Sequence, residues 1–382
     1  MTDLHIAKTR KLLEKLLLAR GPCGEEDEIR EILMQLITPL ADKCWIDKAG
    51  NVIEYVAGQS GSTEENSLRI LVHMDELSMI VKKIYEDGTL QLRPLGQLYP
   101  AIIGQKPVEI FADEQIIAGV FSFGSMHITK ESVPYWELDR ENPNLSIDWN
   151  HASVFTNLSK TELENKGVHP GTRVVIAQQE RKIWELADAW ASYFMDNRAP
   201  LAAMIEILEL LRQTPPLQDT YFVMTTNEET TADGACYASR TLPGCINIAL
   251  EVAPIAPEFP VQFNDQSTVA FMDRFSLYDT KLARSLVASA RQVGLQPQQV
   301  VWENLGSDSS IPKQYGLAPR AGCVGIPTRN THGFEIIQPK AICNSAKLVH
   351  QFLTQSCYAR GSYEEENSNR SARGYSGRKL SV

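Results

Sequence analysis

Four short apolar runs, at 68–73, 220–226, 246–252 and 321–326, constrain this chain more than any other feature. The run 68–73 is apolar almost throughout, the pattern of a strand buried on both faces rather than on one. A strand of that kind must be covered from two sides. The covering material is present: helical patterns at 202–211, 231–241, 281–292 and 340–353 alternate with the runs. Alternating strands and helices predict an α/β fold with a mixed, largely parallel sheet sandwiched by helices.

Two further helices are expected at the start. Leu12, Leu13, Leu16 and Leu17 form one apolar stripe that Gly21-Pro22 ends. A second helix begins near Glu25 and Glu26, acids suited to the positive end of a helix, and turns Ile29, Ile32, Leu33 and Leu36 inward. Residues 47–55 read as a strand with a turn at Gly50-Asn51. From about 81 to 175 the texture changes to short β-like pieces broken by Gly, Pro and Asp: GTLQLRPLG, KPVEIFAD, QIIAGVFSFG and GTRVVIA. That pattern predicts an inserted small β-barrel or sandwich. The expected organisation is an α/β domain in two parts, 1–80 and 181–358, around an insert at 81–180. A polar tail at 359–382 has too few groups to repay its ordering entropy and is expected to be flexible.

Composition narrows the class. A chain of 382 residues, 43% hydrophobic and 22% charged, can bury a large core. Its formal charge of -10 argues against nucleic acid as a partner. The N-terminus lacks the apolar centre of a signal peptide, and no apolar run is long enough to span a bilayer. Seven cysteines at irregular spacing contain no CxxC pair, so reduced thiols in a cytoplasmic protein are expected.

The residues able to do chemistry stand where the buried strands end, the place where open α/β sheets bind ligands. His73 closes the first run, and Asp75 follows on the same face if the strand continues; such a carboxylate can accept the imidazole N–H and orient it toward a metal. A single His-x-Asp is common, and a hydrogen-bonded structural histidine is the plainer reading. Glu228 and Glu229 form an adjacent acid pair after the second run. One could bind a metal while the other serves as general base, or both could be acids at a helix N-terminus. Asp196 precedes a helix and has an ordinary reading as an N-cap or turn residue. Glu251 ends a third run, where an unpaired carboxylate is costly. His332 follows the fourth run and a proline turn. With one acid or histidine taken per strand end, the set is two histidines and three carboxylates, N/O donors suited to zinc, cobalt or manganese.

The order of these residues resembles the TET-type dinuclear aminopeptidases of the forty-second metallopeptidase family, which include glutamyl, leucyl and lysyl aminopeptidases. The resemblance runs from about Ile6 to Leu353 through CGEEDEIRE, DKAGN, HMDELSMIV, PLGQ, LENKGVHPGTRVV, MDNR, NEET, DGA, ALEVAP, GSDSS and GIPTRNTHGFE. It implies two divalent ions per chain, zinc or cobalt, with His73 and Glu251 on one, Glu229 and His332 on the other, and Asp196 bridging them. It further implies Glu228 as general base, Asp75 as the partner of His73, peptide substrates, and a barrel that mediates homo-oligomers from dimers to tetrahedral dodecamers. Three places depart from the family pattern: Glu251 replaces the usual Asp, TTAD follows Glu229 in place of a Val-Gly pair, and GFE follows His332 in place of SPxE. His127 matches an insert position with no assigned chemistry.

Three rival readings remain in view. An N-acyl amino acid deacylase or related co-catalytic metallohydrolase would carry a lid domain after the bridging acid rather than a β insert near His73. A lapsed metal-binding scaffold would have lost Glu228 or a ligand. A glycosidase built on Glu228 and a partner acid leaves the two strand-end histidines without a purpose.

Overall fold

The computed structural model describes residues 3–40, 42–60, 67–125 and 147–355; His127 and the polar tail from 359 lie outside them. Two helices, α1 (Asp3–Leu18) and α2 (Asp27–Ile37), precede strands β1 (Lys43–Ile46), β2 (Val52–Val56) and β3 (Leu68–His73). The next segment supplies β4 (Ser78–Ile84), β5 (Leu90–Leu95), α3 (Pro100–Ile103), β6 (Lys106–Ala112), β7 (Gln115–Ser122), β8 (Ser153–Phe155), α4 (Lys160–Asn165) and β9 (Arg173–Ile176). After it come β10 (Trp184–Glu185), β11 (Trp190–Tyr193), α5 (Met195–Leu211), β12 (Thr220–Thr225), α6 (Asp233–Thr241) and β13 (Ile246–Pro254). The chain continues through β14 (Thr268–Met272), α7 (Thr280–Gln292), β15 (Gln298–Val301), α8 (Ser310–Gln314), β16 (Arg320–Arg329), β17 (Phe334–Ile337) and α9 (Pro339–Gln355).

Among the described residues the large sheet runs β1-β2-β12-β3-β13-β16-β17-β11-β10, with β14 and β15 joined beside β16. The four apolar runs form its centre, β12-β3-β13-β16, and pair in parallel. Antiparallel strands flank them on both sides. Side chains alternate between the two faces, as the pleat requires. Ile70 and Val72 join the cluster that holds Leu13, Leu16, Leu33 and Phe352, while Leu71 and Val223 meet Ala235 and Ala238 of α6. The sheet is therefore sandwiched, as its apolar strands demanded. Each fully buried leucine in this core contributes roughly 1.5–3 kcal/mol, so Leu16→Ala would cost about 2–5 kcal/mol.

Several local readings shift. Residues 47–51 are the turn itself, closed by Asp47 accepting from Ala49 and Asn51, so the strand begins only at Val52 and pairs back onto the unexpected β1. α5 starts at Met195, earlier than the apolar periodicity suggested, because its first turn is buried and carries polar site residues instead of leucines. Pro327, where the sequence predicts a turn, lies inside β16 opposite Ala253. α4 opens with a capping box in which Ser159 and Glu162 satisfy each other's backbone N–H; the SKTE signature was legible and went unused.

The insert closes on itself as a six-stranded antiparallel barrel, β4-β5-β8-β7-β6-β9. The four β-like pieces are β5, β6, β7 and β9, and their inward residues, among them Leu92, Val108, Ile110, Phe121 and Val174, fill it. β4 leaves the sheet five residues after His73, so the barrel stands beside the carboxyl edge of the sheet. The loop after β5 reaches back to that edge. Gly96, at φ +88, runs so close that a Cβ there would lie 2.4 Å from Leu77 Cδ2 and 3.2 Å from the Glu229 carbonyl; a side chain would push the loop away.

Candidate metal centre

β3 and β13 pair only as far as Leu71 and Ala249. Beyond that point β3 stays with β12, ending at His73 opposite Thr225, while β13 follows β16 to Pro254. The strands part, and the gap between their carboxyl halves is a crevice of the kind in which open α/β sheets place ligands. Glu251 faces this gap from within β13 and not from its end, because the strand continues to Pro254.

Asp196 occupies the middle of the crevice. Its backbone leaves helical geometry (φ -77, ψ 106) at the mouth of α5. The next two residues pin it: Asn197 Nδ2 donates to Leu250 O at 3.0 Å, and Arg198 donates to the Met74 carbonyl. Arg198 and Arg181 also hold the fully buried Glu76, at 2.8 and 2.9 Å, which locks the segment after His73 to the start of α5.

Each carboxylate oxygen of Asp196 faces a different histidine. Oδ1 lies 3.1 Å from His73 Nε2, and Oδ2 lies 3.6 Å from His332 Nε2. A second carboxylate completes each half: Glu251 Oε2 stands 4.0 Å from His73 Nε2, and Glu229 Oε2 stands 3.9 Å from His332 Nε2. The trios His73–Asp196–Glu251 and Asp196–Glu229–His332 each gather their donor atoms within 4.8 Å of one another. Glu228 Oε2 lies 3.9 Å from His73 Nε2, beside the first trio.

The other face of each imidazole fixes which nitrogen looks inward. His73 Nδ1 lies 3.2 Å from the Asp75 carbonyl and 3.4 Å from its carboxylate, groups that only accept, so Nδ1 donates. His332 Nδ1 lies 2.9 Å from the carbonyl of Gln97 in the barrel's returning loop and donates likewise. In the neutral rings both Nε2 lone pairs are left facing Asp196, the tautomer a metal requires.

Charge makes the same demand. Asp75, Asp196, Glu228, Glu229, Glu251, Asp308 and Glu335 crowd around the imidazoles of His73 and His332, with Arg198 acting on Asp75 from behind. Burial pushes the Glu228, Glu229 and Glu251 carboxyls well up, and neighbouring acids add to the shift. Burial works against a charged His73, yet hydrogen bonds to Asp196 and Asp75 and the charges of Glu228 and Glu251 raise it. So many carboxylates cannot all ionise together without added positive charge. Glu229 Oε1 and Glu251 Oε1 are buried with no hydrogen-bond partner. Orphaned carboxylate oxygens beside correctly turned imidazoles fit divalent cations held by O and N donors.

The structure thus brings together all seven residues singled out from the sequence: His73, Asp75, Asp196, Glu228, Glu229, Glu251 and His332. It also adds residues that were overlooked. Glu335 is buried and accepts the backbone N–H of Asp196 at 2.9 Å and of His332 at 2.8 Å, one on each oxygen. Burial and the nearby Asp196 push its carboxyl up to about 8. An acid in the apolar stretch FEII was the available signal. Asp308, within GSDSS, accepts from Thr225 Oγ1 behind the site, and burial raises it to about 7. A cavity of about 480 Å³ opens over the cluster, with Phe259, Phe275, Leu305 and Ile311 along its apolar wall and Arg274 and Glu258 on it too.

The chain is similar to known proteins in sequence and in fold. The model of the M42 glutamyl aminopeptidase family matches residues 50–348. The chain is 25% identical to the lysyl aminopeptidase of Pyrococcus furiosus, over 90% of this chain and 96% of that one. In fold it is similar to a TET aminopeptidase from a marine sediment thaumarchaeote, at a TM-score of 0.81 and 19% identity, with 93% of this chain and 98% of the other covered. It is also similar to the Pyrococcus horikoshii TET1 peptidase, which can assemble into a tetrahedron or a large octahedral shell; there the TM-score is 0.77 at 20% identity, covering 91% and 99%.

Proposed function

The chain belongs to the M42 glutamyl aminopeptidase family, and from that premise we propose that it removes N-terminal residues from peptides with two divalent ions, zinc or cobalt, held in the crevice. The observation that carries the proposal is Asp196, which offers one oxygen to each of two His–carboxylate pairs. His73 and Glu251 would hold one ion, Glu229 and His332 the other, and Asp196 both. Such ions supply Lewis acidity, which makes water more acidic and polarises a peptide carbonyl.

The chain's own groups do the rest. Glu228 stands at the edge of the cluster and, in this proposal, takes a proton from the attacking water while the hydroxide oxygen bonds to the carbonyl carbon. As the C–N bond breaks, Glu228 returns that proton to the leaving amine, so the residue ends as it began. Asp75 holds His73 in its donor tautomer and also accepts the N–H groups of Glu228 and Glu229, at 3.0 and 3.1 Å. The acid-rich crevice attracts a free α-ammonium group, and the cavity accepts the first side chain.

Homo-oligomers form part of the proposal, with the barrel as the assembling domain. The outward residues Ile116, Val120 and Phe155 of β7 and β8 are 44%, 47% and 55% exposed, and Val120 and Phe155 pair directly. A cytoplasmic setting is supported by the six free cysteines of the described residues. Among those residues no helix is long and apolar enough to cross a membrane.

The deciding experiment is hydrolysis of a free-amine dipeptide panel beside N-acetylated copies, with Zn²⁺ or Co²⁺ added and then chelated. Metal-dependent release of the first residue from free peptides alone is the expected result. Cleavage of the acetylated copies would favour a deacylase, and no cleavage of either with metal bound would favour a scaffold.

A further inference from the structure

Well away from the crevice, three helices bring a histidine, a glutamate and a cysteine together. His5 and Thr9 lie one turn apart on α1, Glu206 lies on α5 and Cys343 on α9. His5 Nε2 is 3.3 Å from Glu206 Oε2. The other oxygen, Oε1, accepts from Thr9 Oγ1 at 2.5 Å and from Cys343 Sγ at 3.5 Å. One donor atom each from His5, Glu206 and Cys343 falls within 4.8 Å of the others. Glu206 and Cys343 are buried, whereas the His5 side chain is 43% exposed, so the trio opens to solvent on its histidine side.

We propose that His5, Glu206 and Cys343 form a metal site separate from the catalytic one, for a thiophilic divalent cation such as Zn²⁺, which clamps α1 to α5 and α9. Tetrahedral zinc, with Zn–S about 2.3 Å and Zn–N or Zn–O about 2.0–2.1 Å, sets ligand-to-ligand spacings of about 3.3–3.7 Å. The His5–Glu206 spacing, 3.3 Å, falls there on Oε2 and the Glu206–Cys343 spacing, 3.5 Å, on Oε1, so the carboxylate offers one oxygen to each neighbour. The Thr9 hydroxyl or water would fill the fourth place. The donor chemistry differs from that of the crevice, which has no thiol among its ligands, and a mixed S/N/O set selects zinc-like ions. Glu206 lies ten positions beyond Asp196, past the kink at the start of α5 and about two turns into its regular helix, so each site can fill without the other.

Without a cation, burial and the Glu206 charge hold the Cys343 thiol up at about 12, and it donates to Glu206. Metal binding would replace that proton and release it to solvent. Lys347, one turn further along α9, favours the thiolate that results.

The test is cobalt titration of the full chain, followed by absorbance and equilibrium dialysis. Catalytic-site cobalt would have only O and N ligands, so a near-ultraviolet thiolate-to-cobalt charge-transfer band reports this site alone. The expected result is a cobalt equivalent that carries the band. Cys343→Ser removes both, and His5→Gln weakens that equivalent at least tenfold. Dipeptide hydrolysis should persist unchanged in both variants. The site is overturned if the wild-type chain shows no such band, or if the band survives in Cys343→Ser; the trio is then a hydrogen-bonded clasp. Should Cys343→Ser fail to fold, unchanged cobalt affinity in His5→Gln overturns it equally. Failure of the dinuclear reading would appear separately, as missing equivalents without the band.

Discussion

Asp75 Oδ1 accepts the backbone N–H of Glu228 at 3.0 Å, so the partner of one histidine also positions the proposed general base. Its Oδ2 takes the Glu229 N–H at 3.1 Å and the Cys23 thiol at 3.3 Å. Burial works to raise the Asp75 carboxyl, but His73 and the backbone N–H groups of Glu228 and Glu229 hold it below its usual range. Asp75→Asn keeps the shape but replaces one acceptor oxygen with an NH₂ donor, which faces either a backbone N–H or the imidazole. Metal affinity or activity should fall about 10–100-fold, read by metal titration beside kcat.

Glu228→Gln separates binding from chemistry. The amide has no proton-accepting carboxylate, so kcat should drop about 10²–10⁴-fold. Metal content measured on the same preparation should stay at the wild-type level. Loss of metal together with activity would make Glu228 a ligand instead.

Glu335 ties the Asp196 backbone to that of His332. Glu335→Ala leaves two N–H groups without an acceptor in a buried place, at about 1–3 kcal/mol each. Beyond that stability loss, the second trio should loosen more than the first. Stepwise metal titration should show one weakened equivalent and one nearly normal.

Glu54 predicts a pH dependence remote from the site. It lies in β2, fully buried, and neither carboxylate oxygen has a hydrogen-bond partner. Burial, with the Asp42 charge added, raises it from 4.5 to about 8. Below pH 4.5 both the folded and the unfolded chain hold this proton. Between 4.5 and 8 only the unfolded chain releases it, so Glu54 makes stability fall as pH rises through that window. Glu54→Gln should flatten the slope and make the variant the more stable form at pH 8, seen by urea unfolding at pH 5 and pH 8.

Phe155→Glu places a charge in the exposed apolar strip of the barrel. Sedimentation should then show a smaller species than the wild type, with dipeptide hydrolysis retained by the released chains. Unchanged assembly would move the proposed contact to another face.

Much of the frame was legible because it rests on short-range periodicity. The four apolar runs read as strands, the first as one covered on both faces, and they lie side by side at the centre of the sheet. The Gly- and Pro-broken pieces likewise announced a separate β unit. The acids and histidines that converge could be picked out singly, since strand ends carry them, but their ordinary readings were as sound until they stood together. The sequence places His73 and Asp196 123 residues apart, and nothing local says that they meet.

Chain-distant contacts decided the rest. The parting of β3 from β13 makes the crevice, and it follows from which strands each keeps as neighbours. The inward nitrogen of His332 is set by a barrel carbonyl, Gln97, so the insert completes the site it stands beside. Glu335 reads as a plain strand residue until α5 delivers Asp196 to it. Periodicity determines what each segment can become, because it depends on neighbouring residues along the chain. Which lone pair faces which oxygen depends on how buried polar groups from distant segments satisfy one another, and only the folded chain settles that.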